Sequence, residues 1–226
     1  MRLLLIRHGQ TPANVRGELD TAAPGPHLTE LGRAQAAAVP DALADERIDG
    51  IYASRLVRTQ QTAAPLARVR GEMHRVVLPG IHEIEAGDLE GRTDKTSVRA
   101  YIDVIWAWVD GDLERRMPGA GDGNDFFGRF DADIAQVASE HDPDATVAVF
   151  SHGAAIRVWS AARAANIARD YPGRHYLENT GLVALEGSPA DGWNMVGWTR
   201  EPLGGAELKD PSADDVTGEP LEEAGE

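Results

Sequence analysis

The chain has 226 residues, a formal net charge of −15 at pH 7 and no cysteine. This length suits one α/β domain with a substantial core, and the lack of cysteine excludes a disulfide framework, a thiolate nucleophile and cysteine-ligated zinc. The acidic balance argues against nucleic acid or an anionic membrane as a partner, since both need a broad basic surface. No apolar run approaches the ~18 residues that span a membrane, so we expect a cytoplasmic protein.

Short apolar runs rich in Val, Ile and Leu alternate with helical stretches along most of the chain. Strands are predicted at residues 2–6, 48–53, 75–78, 146–150, 181–185 and 194–198. Helices are predicted at residues 30–45, 57–68, 97–109, 125–140 and 154–165. Pro40 and Pro65 are expected to bend or interrupt their helices, because proline lacks a donor and clashes one turn back. The alternation predicts an α/β fold whose mostly parallel sheet is covered on both faces, with an antiparallel hairpin at one edge.

The first predicted strand ends in Arg7, His8 and Gly9. The reference pKa of histidine is about 6.5, so a neutral, nucleophilic ring is available at cytoplasmic pH. A phosphoryl group carries negative charge that must be balanced nearby, and the planar guanidinium of Arg7 fits phosphate oxygens. Gly9 allows the backbone to turn sharply beside a ligand. The alternative is a strand that merely ends in polar residues facing water.

The strand at residues 146–150 repeats this placement, because it runs through Ser151 into His152 and Gly153 ahead of a helix. Ligands of open α/β sheets bind at the carboxyl ends of the strands, so His8 and His152 are expected to converge in one crevice. There His152 would donate to phosphate oxygens. Its alternative role is simply to cap the helix.

A second cation is expected at the start of the helix that follows residues 48–53. Arg55 and Arg58 lie three residues apart near one helix face, and the helix amides add partial positive charge. Either arginine can instead pair with an exposed carboxylate. We favour Arg58 for the crevice, since it lies one turn inside the helix.

Hydrolysis of a phosphate ester also requires a proton for the departing oxygen, and a carboxylic acid whose pKa is raised by burial can supply it. Five carboxylates compete for this role in one stretch of the chain. They are Glu83, Glu85, Asp88, Glu90 and Asp94. Spacing alone does not choose among them.

Other chemistries have weaker support. The chain has no Gly-rich Lys-Ser/Thr phosphate loop and no Gly-x-Ser-x-Gly elbow. The remaining histidines lack metal-ligand spacing, so we expect no metal and no cofactor. These histidines are His27, His74, His82, His141 and His175.

Five segments in chain order resemble the motifs of the histidine phosphatase superfamily, also called the phosphoglycerate mutase-like family. They are Leu-Ile-Arg-His-Gly-Gln-Thr at residues 5–11 with Asn14, and residues 28–32, 54–62, 83–91 and 151–153. Leu89, where the family often has tryptophan, departs from the pattern, as does the stretch 118–125. Neither departure touches the phosphate pocket, but both bear on substrate specificity.

The resemblance implies a three-layer α/β/α sandwich over residues 1–202 and a metal-independent mechanism. His8 would attack phosphorus to form a phosphohistidine, and Glu83 would protonate the leaving oxygen and then deprotonate the hydrolytic water. The resemblance thereby selects Glu83 among the five carboxylates. The implied phosphate ligands are Arg7, Asn14, Arg58 and His152.

We therefore predict a phosphomonoesterase acting on a small phosphorylated metabolite, with no nucleic-acid or membrane partner. The rival is a phosphoglycerate mutase-type isomerase, which shares the phosphohistidine but returns the phosphoryl group to another hydroxyl. Cofactor-dependent mutases of the family usually follow the proton donor with Arg-His-Tyr-Gly, where this chain has Ile-Glu-Ala-Gly at residues 84–87. A second rival is a non-catalytic phosphate-binding module, which would lack one of the implied catalytic residues. The oligomeric state and the individual substrate are not readable from the sequence.

The C-terminal end is predicted to differ from the rest of the chain. Residues 203–226 contain eight acidic residues and one lysine, a net charge of −7, and no aromatic residue. A segment of this composition buries little apolar surface and is typical of disorder. We expect an acidic, disordered tail over residues 203–226 that mainly confers solubility.

Overall fold

The computed structural model describes residues 1–220, which form a mixed sheet of six strands. The strands are β1 (Arg2–Arg7), β2 (Gly50–Ser54), β3 (Arg75–Leu78), β4 (Thr146–Ser151), β5 (Leu182–Ser188) and β6 (Gly192–Thr199). Their order across the sheet is β3-β2-β4-β1-β5-β6. The first four strands run parallel, whereas β5 is antiparallel to both β1 and β6. The predicted parallel sheet with an antiparallel edge is confirmed.

Helices cover both faces of this sheet. They are α1 (Pro12–Val15), α2 (Glu30–Ala42), α3 (Val57–Val69), α4 (Lys95–Asp110), α5 (Gly123–Ser139) and α6 (Gly153–Arg163). Successive side chains of a strand point to opposite faces. Accordingly, Leu3 and Leu5 pack in the core beneath α4, α5 and α6, while Leu4 and Ile6 pack beneath α2 and α3. The three-layer α/β/α architecture is therefore confirmed.

Element boundaries differ from the prediction in a few places. Helix α1 is absent from the prediction, because it is a single turn held by a capping box between Thr11 and Asn14. Neither Pro40 nor Pro65 interrupts its helix. Each lies within the last five residues of its helix, where the buried apolar face still packs on the sheet.

The C-terminal segment is also placed differently from the expected disordered tail. Residues 203–220 pack against the domain, with a 3₁₀ turn at Ala206–Leu208. The side chains of Leu203 and Val216 are buried and join the apolar clusters on opposite faces of the sheet. Composition suggests disorder because it cannot show that a few apolar residues meet a complementary surface. Residues 221–226 of the predicted tail lie outside the described residues.

Among residues 1–220, no helix combines the length and the hydropathy needed to cross a membrane.

Candidate active site

Two histidines meet at the carboxyl edge of the sheet. Strands β1 and β4 are adjacent and parallel, and Arg7 is paired with Ser151 in their register. His8 and His152 therefore leave the sheet side by side, with ring centroids 5.2 Å apart and both side chains buried. The convergence predicted from the two strand ends is observed.

The imidazole of His8 is oriented by its own backbone neighbour. Its Nδ1 lies 2.8 Å from the carbonyl oxygen of Gly9, so a proton on Nδ1 is donated to that carbonyl and Nε2 keeps its lone pair. Burial lowers the pKa of His8 well below its ordinary value of 6.5, and the Arg58 and Arg7 charges lower it further. The ring is therefore neutral near pH 7 and presents a nucleophilic nitrogen.

His152 is the N-cap residue of α6 and is held by the last residue of β2. The distance from His152 Nε2 to Ser54 Oγ is 2.7 Å, whereas the buried Nδ1 has no hydrogen-bond partner among the described residues. Burial lowers the pKa of His152 well below 6.5, and the positive charge of Arg58 lowers it further. If the Ser54 hydroxyl donates to Nε2, the neutral ring carries its proton on the unpartnered Nδ1.

Arg58 lies in the first turn of α3 and is buried, as predicted for the second cation. Its Nη2 donates to the carbonyl oxygen of Asp20 over 2.8 Å, and its Nη1 is 3.9 Å from the Asp20 carboxylate. Its Nε and Nη1 make no hydrogen bond. Arg55, the alternative, is exposed and contacts His82 and Glu85 instead.

Arg7 ends β1 with a fully buried guanidinium. Both of its terminal nitrogens pair with the Asp215 carboxylate, each over 2.6 Å. Nη1 also donates to the carbonyl oxygen of Leu177 and Nη2 to the Thr217 hydroxyl. Although burial acts to lower the pKa of Arg7, the Asp215 carboxylate outweighs it and the pKa is raised. Of the five N–H bonds of this side chain, only the one on Nε is left without a partner.

Three buried arginine nitrogens near His8, Arg7 Nε, Arg58 Nε and Arg58 Nη1, thus lack a partner within residues 1–220. When Ser54 donates to Nε2 of His152, the unpartnered Nδ1 of that ring is a fourth donor. A buried polar group without a hydrogen bond is rare in folded proteins and is commonly explained by an absent ion or water. Because these donors come from two arginines and a histidine, the arrangement suits an oxyanion.

Glu83 lies in the loop after β3, with its carboxylate at the N-terminus of α6. Its Oε1 accepts from the amides of Ile84 and Ala155, and its Oε2 from the amide of Ala154. Burial raises the pKa of Glu83 above its ordinary value of 4.5, and these hydrogen bonds only partly oppose the shift. A carboxyl group whose pKa is raised keeps its proton to higher pH and can act as an acid.

Helix α5 holds the backbone that carries Glu83. The Arg129 guanidinium donates to the carbonyl oxygens of Gly80, His82 and Glu83. The Asp133 carboxylate accepts from the amides of Gly80 and Ile81. Sequence reasoning missed both residues, because an Arg and an Asp one turn apart on a helix resemble an exposed ion pair until the loop is packed against them.

The other four carboxylates of the stretch are partly or largely exposed. Glu85 pairs with Arg55, Glu90 binds the amides of Thr21 and Ala22, and Asp94 caps α4. Glu83 alone among the five is buried.

Asn14 lies at the rim of the site but has partners. Its Oδ1 accepts from the amide and the hydroxyl of Thr11. Its Nδ2 donates to Asp215 over 3.2 Å. The structure therefore brings Asn14 to the site through a contact that the sequence did not suggest.

A cavity of about 20 Å³ lies between His8, Arg58 and Glu83. Its lining comprises His8, Thr11, Ala13, Asn14, Glu18, Asp20, Thr21, Arg58, Glu83 and Thr217. This volume accommodates about one water. Within residues 1–220, no group of three or more His, Asp or Glu is arranged to hold a metal ion.

Comparison with known proteins adds three findings. The profile described as "Histidine phosphatase superfamily (branch 1)" matches residues 3–201. PE-PGRS family protein PE_PGRS11 of Mycobacterium tuberculosis is 38% identical over 220 residues, which cover 90% of this chain and 37% of that protein. Glucosyl-3-phosphoglycerate phosphatase of the same species is 29% identical over 211 residues, which cover 87% of this chain and 91% of that enzyme.

Among solved structures, a mycobacterial glucosyl-3-phosphoglycerate phosphatase in complex with VO3 superimposes with a TM-score of 0.72 at 26% identity. The superposition covers 88% of this chain and 99% of that one. The chain therefore spans almost the whole length of that phosphatase but little more than a third of PE_PGRS11.

Proposed function

Because the chain belongs to the histidine phosphatase superfamily, we propose that it is a metal-independent phosphomonoesterase acting through a phosphohistidine on a small phosphorylated metabolite. One observation carries the proposal: buried nitrogens of Arg7, Arg58 and His152 lack a hydrogen-bond partner close to the His8 imidazole, whose Nδ1 is bonded to Gly9 and whose Nε2 is left as the nucleophile. This arrangement matches the needs of a phosphoryl group, which requires charge balance on its oxygens and a nucleophile in line with phosphorus.

In the first step, His8 Nε2 attacks phosphorus, a nitrogen–phosphorus bond forms, and the bond from phosphorus to the ester oxygen breaks. Arg7 Nε, the free Arg58 nitrogens and His152 Nδ1 donate to the three equatorial oxygens, where negative charge increases. Asn14 assists at the rim. The protonated Glu83 carboxyl transfers its proton to the departing oxygen, and the alcohol leaves neutral.

In the second step, the Glu83 carboxylate accepts a proton from a water that attacks the phosphohistidine. As the new oxygen–phosphorus bond forms, the nitrogen–phosphorus bond breaks and its electron pair returns to His8 Nε2. Inorganic phosphate then leaves. Glu83 is protonated again and the enzyme is restored. The site thus runs both half-reactions with one nucleophile and one acid–base group.

The acidic surface supports a small substrate in preference to nucleic acid or an anionic membrane, because a net charge of −15 repels polyanions. The cytoplasmic location remains a prediction from the sequence. The named substrate of the M. tuberculosis phosphatase, glucosyl-3-phosphoglycerate, is the first compound to test here.

The test is a phosphate-release screen over glucosyl-3-phosphoglycerate, sugar phosphates, phosphoglycerates and phosphopeptides, run beside a 3-phosphoglycerate isomerisation assay. We expect stoichiometric release of phosphate and alcohol, with an acid-labile phosphoryl group on His8 after rapid quenching. His8→Ala should lower turnover by roughly 10³-fold or more, as for other nucleophile deletions, while exposed His74→Ala serves as the matched control. Isomerisation without net phosphate release would establish the mutase instead.

A further inference from the structure

We propose that the C-terminal segment, residues 215–218, completes the phosphate site, and that Asp215 is the positioning residue for Arg7. This inference rests on the proposed function, in which Arg7 binds the phosphate. Residues 215–218 lie beyond the part of the chain that matches the family profile, which ends at residue 201.

The pairing of Asp215 with Arg7 determines which donor of the guanidinium is left free. The carboxylate, the Thr217 hydroxyl and the Leu177 carbonyl together accept all four N–H bonds of Nη1 and Nη2. A guanidinium is planar and rigid, so the contacts that hold Nη1 and Nη2 also fix the direction of the N–H bond on Nε. That bond, on Nε, is the partnerless donor of Arg7.

The free donor lies beside the start of α6. A Cβ placed on Gly153, the residue after His152, would lie 2.9 Å from Arg7 Nε. The same Cβ would lie 2.7 Å from the carbonyl oxygen of Thr217. The start of α6, Arg7 and the C-terminal segment therefore meet at one point, and Thr217 itself lines the cavity beside His8.

The segment is packed as a part of the domain. Val216 is buried in the apolar core, and the amide of Leu177 donates to the carbonyl oxygen of Gly218 over 2.9 Å. The buried Arg157 donates to the carbonyl oxygen of Thr217. A side chain at Gly218 would collide with Arg7, since its Cβ would overlap Nη1. These contacts favour a C-terminal segment that is a permanent part of the site over one that detaches when substrate binds.

Asp215→Asn tests the proposal, because it keeps the side-chain shape but removes the charge that orients the guanidinium. The affinity for inorganic phosphate, measured by ³¹P NMR titration, is expected to fall about tenfold, the usual loss for a charge-assisted hydrogen bond. Asp214→Asn is the matched control, because it removes the same charge one residue away on an exposed side chain that makes no contact with Arg7. Its affinity should equal that of the wild type.

A double-mutant cycle with Arg7→Met separates positioning from general damage to the fold. If Asp215 acts through Arg7, Asp215→Asn should change phosphate affinity by less than about twofold in the Arg7→Met background. A loss that persists there would overturn the proposal, as would unchanged affinity in the single variant. An affinity that rises in Asp215→Asn would show that the carboxylate competes with phosphate, and would overturn it too.

A second variant covers the case in which Asp215→Asn does not fold. Thr217→Val keeps charge and shape but removes one acceptor of Arg7, so phosphate affinity should fall roughly threefold, again only when Arg7 is present. An unchanged affinity would contradict the proposal. Because binding of inorganic phosphate is measured directly, a chain without phosphatase activity would refute the proposed function while still testing Asp215.

Discussion

At the level of single residues, burial distinguishes Glu83 from four carboxylates with the same chemistry. The side chain of Glu85, two residues away, is 53% exposed, whereas Glu83 is 2% exposed. Burial raises the pKa of Glu83, and solvent leaves its neighbour free to pair with Arg55. Five acidic residues in one stretch look alike in the sequence because exposure is set by packing. Within the sequence, only the resemblance to a known family selects Glu83.

Glu83→Gln should slow the hydrolysis of alkyl phosphate esters much more than that of p-nitrophenyl phosphate, because only a poor leaving group needs the proton. General acid catalysis contributes about 10²–10⁴-fold, so we expect the kcat for an alkyl ester to fall within that range. Steady-state rates on the two esters provide the measurement, and Glu85→Gln provides the control. Equal losses on both esters would remove Glu83 from the role of proton donor.

The His8 ring should remain neutral well into the acid range. Burial and the two arginines lower the pKa of His8 below 6.5, so the ring gains a proton only at a pH below that value. A ¹⁵N NMR titration of the substrate-free protein measures this directly, with the signals assigned by comparison with His8→Ala. A midpoint at or above pH 6.5 would contradict the expected electrostatics.

The value of kcat/KM should also change with pH on the alkaline side. In the proposed mechanism the hydrolysis of alkyl esters requires protonated Glu83, so kcat/KM should decline as pH rises through the raised pKa of that carboxyl. The pH profile of kcat/KM on an alkyl ester tests this, and the decline should vanish in Glu83→Gln. A decline that survives in the variant would have to come from another group.

At the level of elements, the site is made by the ends of parallel strands and by the start of one helix. Strand β1 supplies Arg7 and β4 leads into His152, while the first amides of α6 bind Glu83. A helix N-terminus carries partial positive charge, and here it meets the Glu83 carboxylate on one side and the proposed phosphate site on the other. The amides oppose the rise in the pKa of Glu83 that burial causes.

Gly153 is required at the first position of α6 because no space exists for a side chain. We expect Gly153→Ala to weaken inorganic phosphate binding roughly tenfold, since the added methyl would displace either Arg7 Nε or the Thr217 backbone. The measurement is a ³¹P NMR titration together with thermal unfolding.

Gly128→Ala in α5 is the matched control, because a Cβ there would have no atom within 4 Å. Alanine is the better helix former, so this variant should gain about 0.5–1 kcal/mol of stability and keep its phosphate affinity. Equal phosphate affinity in the two variants would contradict the close packing at Gly153.

At the level of the whole molecule, the acidic C-terminal segment is joined to the domain by a few specific contacts. Leu203 and Val216 are each 8% exposed, and the carboxylate of Asp215 neutralises a buried arginine. The segment therefore combines a high density of negative charge with a small number of apolar and ionic contacts. Composition reports the first property, and the second depends on the surface that the segment meets.

A chain ending at residue 202 should be less stable than the full chain. Exposure of two apolar side chains costs about 3 kcal/mol, which corresponds to a fall in Tm of roughly 6–12 °C for a domain of this size. Thermal unfolding measures the difference. A chain ending at residue 220 keeps every contact described here and serves as the control. Equal midpoints for the two shortened chains would show that residues 203–220 contribute nothing to the fold.

The sequence by itself determined the sheet and its layers, and it predicted which polar residues meet at the carboxyl ends of the strands. Short apolar runs identify the strands because their pattern is local in the sequence. Polar residues at the ends of parallel strands converge because those ends lie at the same edge of the sheet. The convergence of His8, His152, Arg7 and Arg58 in one crevice therefore follows from their positions along the chain.

Only the tertiary structure decided which groups support those residues. Ser54 at His152, Arg129 at the Glu83 loop and Asp215 at Arg7 are distant in sequence from the side chains they contact. Each is an ordinary polar residue until packing removes water and makes a hydrogen-bond partner necessary. Burial is a property of the folded whole, and no local pattern in the chain encodes it.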